Sequence, residues 1–121
     1  MTRLRKTYQK NIKNYFDFFD YEKIYFLIKK QRINGLWEAN QENLNFIEKF
    51  GGSFTEFSKK IKDIYTINDI NIIFTIFIIS FLNNFAYRKR FQYILEKSKN
   101  LLIEKIKDYN DEKQREFDNY I

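Results

Sequence analysis

The stretch Ile70-Asn71-Ile72-Ile73-Phe74-Thr75-Ile76-Phe77-Ile78-Ile79-Ser80-Phe81-Leu82 decides how the rest of the chain is read. Wound as a helix, it places Ile70, Ile73, Phe74, Phe77, Phe81 and Leu82 on one side and Ile72, Ile76 and Ile79 on another. A helix that is apolar all round has to be covered by neighbours on several sides. Its β-branched and aromatic residues would also suit a strand. No turn interrupts the run to make a hairpin, however, and both flanks read as helix. At about 13 residues it is too short for the ~20 that cross a bilayer. The expectation is a buried central helix over 70–86, capped by Thr66 or Asn68, with no membrane partner.

Working outward, Phe91, Ile94, Leu95, Ser98, Leu101, Leu102, Ile106 and Tyr109 trace one face of a helix over 88–109, with Lys and Glu opposite. Upstream, Phe54, Phe57, Ile61 and Ile64 form a stripe opened by Ser53 or Thr55. Before that, Asn40 is a good cap for a short helix with Leu44, Ile47 and Phe50 on its core face, stopped at Gly51-Gly52. Tyr21, Ile24, Tyr25 and Ile28 recur at helical spacing, with Asp17 and Asp20 suiting the N-terminus of that helix and Lys29, Lys30 and Arg32 its C-terminus. Asn34-Gly35 then makes a turn, because both residues tolerate positive φ. The fold class expected is all-α, an irregular bundle of about five helices. Residues 1–15 read as a basic N-terminal arm, 16–109 as the helical domain, and 110–121 as an acidic tail that continues the last helix or frays.

The composition narrows the function classes. The 121 residues contain no Cys, His or Pro and only three Gly, so helix is the default and disulfides or Cys/His chemistry are excluded. Lack of cysteine fits a reducing compartment, and no secretory signal follows the basic start, so a cytoplasmic location is expected. The bias toward Ile, Asn and Lys looks like an AT-rich codon preference, which weakens any argument from lysine number alone. The net charge of +6 is unevenly placed: Arg3, Arg5, Lys6, Lys10 and Lys13 open the chain without an acid. Residues 88–107 are basic and 108–121 net acidic.

General acid–base catalysis at neutral pH uses histidine most often, or a carboxylate raised by burial. Histidine is missing, and the acids fall at helix starts or in the tail. No EF-hand spacing and no phosphate-cradling glycine loop occurs. The chain therefore reads as a non-enzyme, with no catalytic residue, cofactor or metal expected. Arg88-Lys89-Arg90, between Tyr87 and Phe91, is a basic cluster with aromatics interleaved, as nucleic-acid binders use. Phe91 is equally the first core residue of the last helix. Arg88, Lys89, Arg90 and Tyr93 are the candidates for contact with a partner, with Tyr15, Phe16 and Phe18 as further aromatics outside the expected core.

One segment carries a more specific pattern: Gln31, Gly35, Trp37 and Glu38, then Leu44 and Ile47. Downstream come Thr75 with Phe81-Leu82, then Ile94-Leu95-Glu96-Lys97-Ser98 before Leu101-Leu102. In order and spacing, over roughly residues 20–106, this resembles the C-terminal helical region of proteins with a VIT domain followed by a von Willebrand factor A domain. That group includes the von Willebrand A domain-containing 5A-like proteins and the vault-associated poly(ADP-ribose) polymerase. The chain departs from the pattern at Ile73 and Leu101, where the family tends to have Trp. The resemblance implies that Gln31, Gly35, Trp37, Glu38, Leu44, Thr75 and Leu82 form a structural motif; on physical grounds Trp37, two residues after a glycine turn, is expected to fold back and plug the seam between the first two helices. It further implies a protein-docking role, the partner being the major vault protein or a similar large assembly. A basic nucleic-acid-binding domain and a structural subunit of a larger complex remain as alternatives.

Overall fold

The computed structural model describes residues 21–49, 53–84 and 88–121. The basic arm 1–15, the aromatics Tyr15, Phe16 and Phe18, Asp17 and Asp20, Phe50, the Gly51-Gly52 stop and Tyr87 lie outside the described residues. The architecture is all-α. Its helices are α1 (Tyr21–Lys29), α2 (Gln41–Glu48), α3 (Phe54–Tyr65), α4 (Ile70–Asn83), α5 (Gln92–Lys105) and α6 (Asp111–Asp118), with a 3₁₀ turn over Arg88–Phe91 leading into α5.

Helix starts follow from short polar side chains. Asn40 Oδ1 accepts from the Asn43 amide at 2.8 Å, and Ser53 Oγ accepts from Glu56 at 3.4 Å. Such bonds satisfy amides that a helix start leaves without an intrahelical acceptor. The cap expected at Thr66 or Asn68 is instead Asp69, which accepts from the amides of Asn71 at 2.9 Å and Ile72 at 3.3 Å. Thr66 ends α3 in the left-handed region, φ 53°, and the axis turns by 111° between α3 and α4. That sharp turn sets α3 steeply across α4, against which it packs.

α4 is the post around which the molecule is built. Ile72 through Leu82 are all buried, and α3, α5 and α6 pack against it. Phe54, Phe57, Phe74 and Phe77 form an edge-to-face aromatic layer between α3 and α4, with ring centres 5.1–5.4 Å apart. At 14 residues α4 is about 21 Å long. Among the described residues no single helix is long and apolar enough to cross a membrane.

Two expectations are corrected by the last third of the chain. The helix expected over 88–109 starts in a 3₁₀ turn and stops at Lys105, where Ile106 goes extended and Asp108 takes φ 60°. Residues 110–121 are then not a solvated tail. Asn110 caps α6, which packs on α4, and Phe117 is fully buried against Tyr65, ring centres 4.8 Å apart, and Tyr109 at 6.4 Å. The helical unit therefore continues beyond 109, with Tyr120 and Ile121 half-buried on the core.

Candidate functional site

The Gly35 turn positions a polar corner where the end of α1, the 32–38 loop, α4 and α5 meet. Arg32 and Leu36 close the loop, the amide of Arg32 donating to the Leu36 carbonyl at 2.8 Å, and Gly35 takes φ +96°. A Cβ there would lie 2.6 Å from the Lys97 carbonyl oxygen, so only glycine lets the loop approach the α5 backbone this closely. Gln31 Nε2 spans the gap, donating to the Ile94 carbonyl at 2.9 Å and to Ser98 Oγ at 2.8 Å. Ser98 in turn donates to the Gly35 carbonyl at 2.5 Å.

Trp37 fills the space behind the loop and has no exposed surface. Its indole Nε1 donates to the Leu27 carbonyl at 3.0 Å, which ties the ring to α1. Its backbone N–H donates to Thr75 Oγ1 at 2.9 Å, while that hydroxyl donates to the Asn71 carbonyl at 2.8 Å. Trp37 is thus tied to α1 through its ring and to α4 through its backbone. Asn71 Oδ1 accepts from the Ala39 amide at 2.9 Å, and buried Asn43 donates to the Glu38 carbonyl at 2.9 Å. The Glu38 carboxylate pairs with Arg32.

So Gln31, Gly35, Trp37, Glu38 and Thr75 come together in one junction, joined by Ser98, Asn71 and Asn43. Leu44 and Leu82 sit apart from it: Leu82 is wholly buried in α4, and Leu44 is half-buried on α2. Ser98, Asn71 and Asn43 could have been found by asking what would satisfy a polar residue on a core-facing helical position. A second polar junction lies on α4. Buried Ser80 accepts from Gln114 Nε2 of α6 at 3.1 Å, and Gln114 Nε2 also donates to Asp118 at 2.8 Å. Tyr109 donates to Gln114 Oε1 at 2.5 Å.

Apart from the Arg32–Glu38 pair, the polar side chains of the corner are amides and hydroxyls. At the second junction burial pushes the Tyr109 phenol well above its ordinary range, with the charges of Asp118, Asp111 and Glu96 adding to the shift. Burial and hydrogen bonds to Glu116 and Tyr120 raise Tyr65 in the same direction. Both phenols therefore stay neutral far above pH 7. Among the described residues no three acidic side chains converge as metal ligands.

The candidate contact residues divide. Lys89 and Arg90 are exposed, and Tyr93 is 66% exposed on the outer face of α5. Arg88 opens the 3₁₀ turn. Phe91 is buried and cannot serve as a stacking platform. A separate feature is a groove of about 450 Å³ between α2, α3 and the first turn of α4. Ala39, Leu44, Phe54 and Ile70 give it an apolar floor, and Lys59 and Lys62 stand on the α3 wall. The chain matches no family model, no curated protein and no solved structure.

Proposed function

We propose that the chain is a non-catalytic protein-binding module. One observation carries this reading. Among the described residues, every buried side-chain nitrogen and oxygen has a hydrogen-bond partner inside the fold. The polar groups are thus occupied in joining helices, and none is left aimed into a cavity as an active site would require. What remains unused is apolar surface: Ile33, Ile64, Ile70, Tyr93 and Ile103 are all exposed. The likeness of the Gln31–Trp37 corner to the docking region of the vault-associated polymerase makes the major vault protein the first partner to test. A chain without cysteine suits the reducing cytoplasm in which such an assembly would be met.

The test is co-sedimentation with purified vault shells at low salt. The expected result is that the chain pellets with the shells and stays in solution without them. Failure to pellet would remove the vault as partner. A second reading, nucleic-acid binding, is favoured by exposed Lys89, Arg90 and Tyr93 on one end of α5. It predicts a gel shift with a single-stranded oligonucleotide that weakens steeply as salt rises. Burial of Phe91 is the reason we rank it second.

A further inference from the structure

We infer that the groove between α2, α3 and the start of α4 is the docking site for an acidic amphipathic helix of a partner protein; this rests on the protein-binding reading above. The first ground is the floor. Ala39, Leu44, Phe54 and Ile70 offer apolar surface from three separate helices and the loop before α2, which suits apolar anchors spaced at helical intervals. The floor is also rigid before any partner arrives. The Phe54 ring is held edge-on by Phe74 and Phe77 at 5.1 and 5.4 Å, and Ile70 follows directly on the Asp69 cap. Binding therefore orders little, which favours affinity.

The second ground is charge. Among the described residues no acidic side chain lines the groove, and Lys59 and Lys62 make no ion pair with any of them, in contrast to Lys30, which pairs with Glu42 at 2.7 Å. The two lysines lie three residues apart on α3, about 4.5 Å along its axis. Carboxylates one turn apart on a partner helix match that interval. An extended peptide adding to a sheet has nothing to pair with, because the described residues contain no strand. A nucleic acid would use the lysines but leave the aliphatic floor without a stacking partner.

The test uses the full chain and a designed probe: a capped peptide with leucines at i, i+4 and i+7 and glutamates on both flanks. Its titration is followed residue by residue by NMR. The expected shifts map to Leu44, Phe54, Lys59, Lys62 and Ile70. The double variant K59E/K62E should weaken binding about tenfold, and K59Q/K62Q by roughly half as much on a logarithmic scale. Both lysines are exposed, so both variants should keep the helical circular dichroism of the parent. A peptide with lysines in place of the glutamates should bind far more weakly. Equal affinity in K59E/K62E, or no shifts up to about 1 mM peptide, would overturn the groove. Shifts on another face would overturn it while leaving a protein-binding module standing. Silence with the peptide, together with oligonucleotide-induced shifts at Lys89, Arg90 and Tyr93, would overturn both readings.

Discussion

The Trp37 corner and the C-terminal helix α6 hold the same post by different means. Each buries one large ring completely, Trp37 on one side and Phe117 on the other, and each bonds one of the two buried hydroxyls of α4, Thr75 or Ser80. At the corner most of the bonds join side chains to backbone, the Gln31–Ser98 bond excepted, and they depend on a glycine that no other residue can replace without strain. At α6 they join side chain to side chain, and they sit beside the phenols of Tyr65 and Tyr109, whose ionisation folding pushes upward. The corner should accordingly be rigid, and α6 more easily loosened as pH rises past the ordinary phenol range. Buried polar groups here specify which helix goes where, while the apolar surface supplies the stability.

The largest effects should come from the two rings. Trp37→Ala and Phe117→Ala should each cost about 3–5 kcal/mol in urea unfolding. A loss under about 0.5 kcal/mol for Phe117→Ala, the range of a surface change, would return residues 110–121 to the status of a tail. Next comes Gly35→Ala, which combines a positive φ with a clash at the Lys97 carbonyl and should cost about 1–3 kcal/mol. No equivalent position exists in α6, so this substitution sharpens the contrast.

The hydroxyl pins should differ more subtly. Thr75→Val strands the buried Trp37 amide and should cost about 1–3 kcal/mol. Ser80→Ala should cost about 1 kcal/mol or less, because Gln114 keeps its bond to Asp118. The smallest effect is one of pH. A phenol whose ionisation is pushed upward by folding stabilises the fold in full below its unfolded value of about 10 and loses that contribution as pH rises beyond it. Thermal melts should therefore decline above about pH 10, and Tyr109→Phe should flatten part of that slope. An unchanged slope in Tyr109→Phe would mean the phenol is not confined as described.

Much of the fold was legible in the residues, and the exceptions have physical causes. The all-round apolar pattern of 70–82 marks a covered helix. The Gln31–Gly35–Trp37 segment marks a tight corner, since Gly after Asn at a helix end suits positive φ. The break between α5 and α6 was not legible, because the chain reverses there without glycine or proline and Asp108 takes φ 60° instead. Helix α6 was hidden by its composition: in DEKQREFD the single apolar residue, Phe117, makes no stripe. The start of α4 was misplaced because Thr66, Asn68 and Asp69 are all plausible caps by type, and only the geometry chooses among them. The groove could not be read from periodicity, since its floor is assembled from three helices and a loop.

Site-resolved amide hydrogen exchange tests most directly whether α4 is gripped from both sides. Ile72 through Leu82 should exchange together, at the rate of global unfolding, with the amides of Gln114–Phe117 in α6 well protected below pH 8. Rapid exchange in α6, accompanied by faster exchange in Ile78–Leu82 than in Ile72–Phe77, would contradict the account and leave the Trp37 corner as the only clamp.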